Sequence, residues 1–278
     1  MTTTPTTDVR TLAPADLLAR PHARVPTLDE SLRWLASPED RRPLIKTADG
    51  HGVTDGISTF PFRDGLPILL PARLQRFFDA CLQVSAEAAT DAFLKYFAMA
   101  SLRHAGDINA PSSDVHFQRH LHRMHAFVRE CSGLVLDVGC DDAALGAALF
   151  SERCTYLGLD PFCQRGTPFR LIGLGEFLPV RDECVDVVVF NTSLDHIFDW
   201  HRAIDEAHRI LRPGGQLVIA SLVWTESADL LRDSVHFHHF RDYEIFGALA
   251  AFTIEDAARY DYKGNTHRHG LYVRAAKR

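Results

Sequence analysis

Three acids stand just past three short apolar runs. Asp137 lies in Leu134-Val135-Leu136-Asp137-Val138-Gly139-Cys140-Asp141, Asp160 in Gly158-Leu159-Asp160-Pro161, and Glu176 in Gly175-Glu176-Phe177-Leu178-Pro179. A fourth run leads into Asn191-Thr192-Ser193-Leu194-Asp195-His196. An acid about twenty residues past a glycine turn is placed to accept both hydroxyls of a ribose. The histidines supply the remaining reactive groups. His196 beside Asp195, and His236, His238 and His239 further on, could remove a proton near neutral pH. Asp195, His196 and one of the later histidines would also form a metal-ligand set, though no dedicated metal motif is present and no metal is expected. His116 with His120, and His122 with His125, have metal spacing too; they read as a partly exposed His-rich helix face near the pocket mouth. His267 and His269 read as a solvated hairpin. Trp224 and Tyr243 read as core residues, with an aromatic pocket as the other use.

These groups need a scaffold that brings them to one edge. Residues 134–138 suit a strand buried on both faces, Gly139 suits a tight turn, and residues 142–150 suit a helix with an acidic first turn. Further strands are expected at 155–159, 170–174, 185–190, 216–221, 251–260 and 271–275. A helix at 200–211 turns Trp200, Ala203, Ile204, Ala207, Ile210 and Leu211 to one face, with Asp199 as its N-cap. Arg212-Pro213-Gly214-Gly215 ends it. Alternating strands and helices predict an α/β fold with a Rossmann-like, doubly wound, mostly parallel seven-stranded sheet. Ligands bind outside the carboxyl ends of such strands, where all four stretches would meet.

The chain divides into a Thr-rich tail at 1–13, a small β-rich module at 14–71, a helical cap at 72–131 and the α/β domain at 132–278. The module carries a short helical pattern through Leu28, Leu32 and Leu35, then turns at Asp49-Gly50, Asp55-Gly56 and Asp64-Gly65. Hydrophobic residues make up 46% of the 278 and the net charge is −6, so no global basic field favours nucleic acid or an anionic membrane. The six cysteines include no C-x-x-C pair, and with no apolar span or signal core a reducing cytoplasm is expected.

Residues 132–276 resemble the class I S-adenosylmethionine-dependent methyltransferases. Residues 134–141, residues 175–191 and Arg209-Ile210-Leu211-Arg212-Pro213-Gly214-Gly215 carry the resemblance. It implies S-adenosyl-L-methionine as cofactor. By it, Gly139 and Cys140 would lie along the methionine part and Asp137 would orient that loop and the amino group. Asp160 and Pro161 would hold the ribose, Glu176 and Phe177 would flank the adenine, and Asn191 would line the methionine side. His196, Asp195, His236 and His238 are the candidates for proton removal. The usual glycine loop, D-x-G-x-G-x-G, reads here Asp137-Val138-Gly139-Cys140-Asp141-Asp142-Ala143, so its second and third glycines are Asp and Ala. Residues 60–70 resemble the end of the small zinc-ribbon-like domains that accompany some methyltransferases, without their cysteines. The expected partner is a small-molecule methyl acceptor, a sugar or specialised metabolite methylated on oxygen or nitrogen. A homodimer is compatible with this, and nucleic acid or membrane is not expected. The alternatives are a tRNA or protein methyltransferase and an inactive or regulatory protein on the same fold.

Overall fold

Asp–Gly pairs fold the first part of the chain back on itself. Strands β1 (Ile45–Lys46), β2 (Gly52–Thr54), β3 (Thr59–Arg63) and β4 (Leu66–Pro67) form a four-stranded antiparallel sheet in that order. Asp64 and Gly65 both have positive φ, 49° and 80°, as a two-residue hairpin between Arg63 and Leu66 requires. The computed structural model describes residues 10–75, 114–161, 169–225 and 236–278, so most of the expected helical pattern at 72–105 lies outside the described residues. Ahead of the small sheet come helices α1 (Pro14–Leu18) and α2 (Leu28–Ser31). The helix expected to run through Leu35 therefore stops after one turn. Leu35 leaves it to bridge Val180, and the Ala36 N–H donates to the Pro179 carbonyl at 3.0 Å. Pairing with a distant segment has taken backbone groups that a longer helix would have used.

The remaining elements are α3 (Val115–Val128), β5 (Gly133–Val138), α4 (Ala143–Ala148), β6 (Cys154–Asp160), β7 (Arg170–Ile172), β8 (Val185–Asn191), α5 (Trp200–Ile210), β9 (Leu211–Trp224), α6 (Asp242–Ala248), β10 (Phe252–Asp261) and β11 (Arg268–Lys277). The large sheet has seven strands in the order β10-β11-β9-β8-β5-β6-β7. The run from β9 to β7 is parallel, and β11 is antiparallel to both neighbours. This is the expected mostly parallel, doubly wound sheet. Strand β11 begins earlier than expected, so His269 is a strand residue with Nε2 3.3 Å from Asp242 Oδ1, not part of a solvated turn. Asp199 caps α5 by accepting the Arg202 N–H at 3.1 Å, and Asp114 caps α3 by accepting from His116 and Phe117. Gly214, at φ 75°, bends the chain near the start of β9.

Apolar clusters cover both faces of the sheet. One gathers Trp200, Ala203, Ile204, Ala207 and Ile210 of α5, and the other gathers Met124 and Val128 of α3 with Ala143 and Ala147 of α4. Leu35, Leu44, Val53, Phe60 and Leu69 of the N-terminal part belong to the first cluster. The same part closes the sheet edge. Ile68 bridges Ile172 of β7, the Leu69 N–H donates to the Ile172 carbonyl at 2.7 Å, and Arg24 pairs with Thr155 where β7 is too short to cover β6. An uncovered edge strand would template pairing with other chains. Leu69 is fully buried at this junction. Leu69→Ala is expected to destabilise the fold by about 2–5 kcal/mol. Urea unfolding checks this: one cooperative transition moved to lower denaturant is expected, without a separate early transition.

Candidate active site

The carboxyl ends of the parallel strands β5, β6, β7 and β8 lie along one edge of the sheet, and the turn after β5 follows there. Asp137 is 2% exposed, and its Oδ2 accepts the Tyr156 hydroxyl at 2.6 Å. Its Oδ1 is buried and has no hydrogen-bond partner among the described residues. Burial pushes the Asp137 carboxyl up to about 7; the Tyr156 hydrogen bond opposes the rise and the nearby Asp160 charge adds to it. The N–H groups of Gly139 and Cys140 donate to the Leu159 carbonyl at 2.7 and 3.2 Å, tying the turn to β6. Gly139 has φ 79°, and a Cβ there would lie 2.4 Å from Ser193 Cβ, so no larger residue fits. Ser193 Oγ donates to the Val138 carbonyl and holds the two loops together.

Asp160 is 4% exposed, and its Oδ2 accepts the Asp141 N–H at 3.0 Å. Pro161 follows it at the crevice edge. The fully buried Arg170 reaches from β7 to the Asp141 carbonyl, and its positive charge faces the Cys140 thiol. Burial pushes that thiol well above its ordinary range. Glu176 is held against the start of α5. It is 6% exposed, its Oε1 accepts the Asp199 N–H at 3.2 Å, and burial raises its carboxyl. The neighbouring Phe177 ring lies under the Arg202 and Arg73 guanidiniums, at 4.3 and 5.4 Å.

Asn191 is held by a group from outside the sheet. His120 of α3 places Nε2 2.9 Å from Asn191 Oδ1 and Nδ1 2.7 Å from the Tyr272 hydroxyl. The Nε2–H tautomer satisfies both contacts: the ring donates to Asn191 and accepts from Tyr272. Burial lowers the His120 imidazole to about 4, so it is neutral at physiological pH. His120 is partly buried, as expected of that face, and joins a hydrogen-bonded network with Asn191 and Tyr272.

In the loop after β8, Asp195 is 1% exposed and lies near two imidazoles. His196 Nε2 is 4.0 Å from Asp195 Oδ1 and His236 Nε2 is 3.7 Å from Asp195 Oδ2. The rings stack at 5.1 Å, and Trp224 packs edge-on against His236 at 5.6 Å. The Asp195 carbonyl accepts the N–H groups of Phe237 and His238, both at 3.0 Å, which fixes the later segment over the earlier loop. His238 turns away from this cluster. Its Nε2 lies 2.9 and 3.0 Å from the Ile197 and Phe198 carbonyls, and burial lowers its imidazole. Trp224 is buried, as a core residue should be, while Tyr243 is 66% exposed and lines neither core nor pocket.

Residues 136–219 match the family model described as a methyltransferase domain. This segment is a methyltransferase domain. Residues of the chain are 32% identical over 109 positions to the ubiquinone/menaquinone biosynthesis C-methyltransferase UbiE of Xylella fastidiosa, covering 38% of this chain and 42% of that one. They are 42% identical over 57 positions to an arsenite methyltransferase of Halobacterium salinarum, covering 20% and 14%. The chain spans less than half the length of these curated relatives. A chain from the complex between the Haloferax volcanii Trm112 methyltransferase activator and a methyltransferase shares the fold, with a TM-score of 0.50 at 17% identity, over 68% of this chain and 99% of that one.

The methyltransferase domain explains its own irregular loop. The family's second glycine position is Asp141, which has φ 44°, a left-handed conformation that Asp tolerates better than most residues. The third is Ala143, the first residue of α4, where no special backbone is needed. Room for close helix–strand packing comes from other glycines. A Cβ on Gly158 would meet Cys140 Sγ at 2.7 Å, and one on Gly146 would meet the Tyr156 hydroxyl at 2.0 Å. Sequence reading missed Tyr156, Tyr272 and the Asn191 contact of His120. Tyr156 carried a signal: a lone hydroxyl in an apolar strand needs a buried partner.

Two predictions follow from these titrations. Asp137 has a folded-state value above its unfolded one, so its ionisation destabilises the fold as pH rises through about 7. Asp137→Asn is therefore expected to melt higher than the wild type at pH 8, with the gap shrinking toward pH 5 in thermal scans. His120 has a folded-state value below its unfolded one, so stability is lost as pH falls from 6.5 toward about 4. His120→Gln is expected to cost about 1–3 kcal/mol at pH 7.5, and the deficit should narrow on acidification in chemical denaturation series.

Proposed function

We propose that this chain is an S-adenosylmethionine-dependent methyltransferase acting on a small molecule. The observation that carries the reading is the pair Asp137 and Asp160, buried at the ends of adjacent parallel strands beneath a glycine turn. The residues suit the cofactor. Asp137 Oδ1 is an orphaned buried acceptor, the partner that an ammonium group lacks once it leaves water. Asp160 would hold the ribose hydroxyls with Pro161 beside it, and Gly139 and Cys140 would let the chain approach the methionine part. Asn191, oriented by His120, would line that same side. Glu176 would act at one remove, by accepting the Asp199 N–H and setting the start of α5 under Phe177.

The cofactor supplies a methyl carbon already activated by sulfonium; the protein must align the nucleophile with it. Held there, the cofactor would offer that carbon to the acceptor, with the thioether sulfur leaving with the electron pair of the carbon–sulfur bond. A hydroxyl or amine acceptor then has a proton to lose, and the Asp195–His196–His236 cluster stands across the crevice to deal with it. His238, turned to two carbonyls, is a positioning residue. The relatives named for ubiquinone/menaquinone biosynthesis and for arsenite support a small acceptor, as does the net charge of −6. We place the acceptor atom at oxygen or nitrogen because a histidine–carboxylate cluster suits removal of their protons.

Asp160→Ala is expected to weaken S-adenosylhomocysteine binding by roughly 10- to 100-fold, through loss of charge-assisted hydrogen bonds. Calorimetric titration measures it, and circular dichroism checks that the variant is folded. Unchanged affinity would remove Asp160 from the ribose site.

A further inference from the structure

We propose that Asp195, His196 and His236 form a binding site for one divalent transition-metal ion, which in turn holds the acceptor through its oxygen donors. Two segments far apart in sequence build the cluster. Residues 194–196 are wound into a short 3-10 turn at the end of β8, and residues 236–238 are clamped over it by the Asp195 carbonyl. One ligand atom from each side chain lies within 4.8 Å of the others. The two nitrogen–oxygen separations, 3.7 and 4.0 Å, are longer than direct hydrogen bonds between these pairs.

An ion of suitable size fits these spacings. Bonds of about 2.0–2.2 Å put neighbouring donors about 3–3.5 Å apart, and opposed donors about 4 Å apart. The donor set is two imidazoles and one carboxylate, which selects zinc, iron(II) or cobalt over magnesium and calcium. Asp195 at 1% exposure supplies a buried negative charge to offset the ion, while His196 and His236 keep 31% and 15% side-chain exposure on the open side. Trp224 holds the His236 ring from its far face. Three protein ligands leave at least one position open.

The cluster lies on the crevice wall reached from Asn191 along the same loop. The acceptor role therefore rests on the methyltransferase reading above, whereas ion binding itself does not. With an ion held there, coordination would acidify the acceptor hydroxyl and its proton would pass to water, which would take the place of direct proton removal by an imidazole of the same cluster.

The test uses the full chain without an affinity tag, stripped with chelator, and titrated with Co²⁺. The expected result is one equivalent bound with visible d–d absorption, displaced by Zn²⁺. His236→Ala and Asp195→Asn should each weaken Co²⁺ binding by roughly tenfold or more. His122→Ala, on the separate His-rich helix, should leave it unchanged. S-adenosylhomocysteine binding by the stripped protein should persist, which separates failure of the metal site from failure of the cofactor reading. No Co²⁺ binding to folded protein would overturn the proposal. So would binding that survives His236→Ala, or binding abolished only by His122→Ala. If Asp195→Asn does not fold, His236→Ala alone decides.

Discussion

A carboxyl group held out of water beneath a turn constrains the rest of this molecule. Asp137 has one oxygen satisfied by Tyr156 and the other without a hydrogen-bond partner among the described residues. Leaving a buried acceptor unmade costs on the order of 1–3 kcal/mol. The surrounding elements are shaped to tolerate that. Gly146 makes room for the Tyr156 hydroxyl, Gly139 lets the turn pass under Ser193, and the Gly139 and Cys140 N–H groups anchor the turn to β6. Under the proposed function, a cation would complete this group. The proposed cofactor offers one in its ammonium group.

Two groups of residues meet past the carboxyl ends of the parallel strands. One, proposed for the cofactor, comes from β5, β6 and the turn between β5 and α4. The other, proposed for the acceptor, comes from the loop after β8 and the segment before α6, joined through the Asp195 carbonyl. Between them sits Asn191, steadied by His120 from α3. The N-terminal part pairs with β7 and with the exposed start of β6, and completes one apolar layer. A short third parallel strand such as Arg170–Ile172 leaves an edge that something must cover.

The architecture was largely legible in the sequence because its signals are local. Apolar runs of Val and Leu mark β5 and β8, the spacing of Trp200, Ala203, Ile204 and Ala207 marks α5, and Asp–Gly pairs mark the hairpins. What escaped reading depended on distant partners. Leu35 reads as helical until Val180 competes for its backbone. His120 reads as one of four partly exposed histidines, without its Tyr272 and Asn191 contacts. Glu176 follows a strand just as Asp160 does, yet the N-terminus of α5 lies beside it and takes its carboxylate. Asp195, His196 and His236 could be named as a set, but only folding shows that His236 is the histidine that completes it and that His238 is turned away. The irregular glycine loop read as a weakness. Its Asp141 takes the left-handed conformation that glycine would otherwise supply, and Gly158 and Gly146 provide the close packing from the opposite side.

The central claim is that the turn over Asp137 and Asp160 holds S-adenosylmethionine. A crystal structure of the full chain grown with S-adenosylhomocysteine tests it most directly. The account predicts the amino group within hydrogen-bond reach of Asp137 Oδ1 and both ribose hydroxyls on Asp160. A well-ordered chain with the crevice empty at saturating ligand, or with the ligand bound away from these two carboxylates, would contradict it.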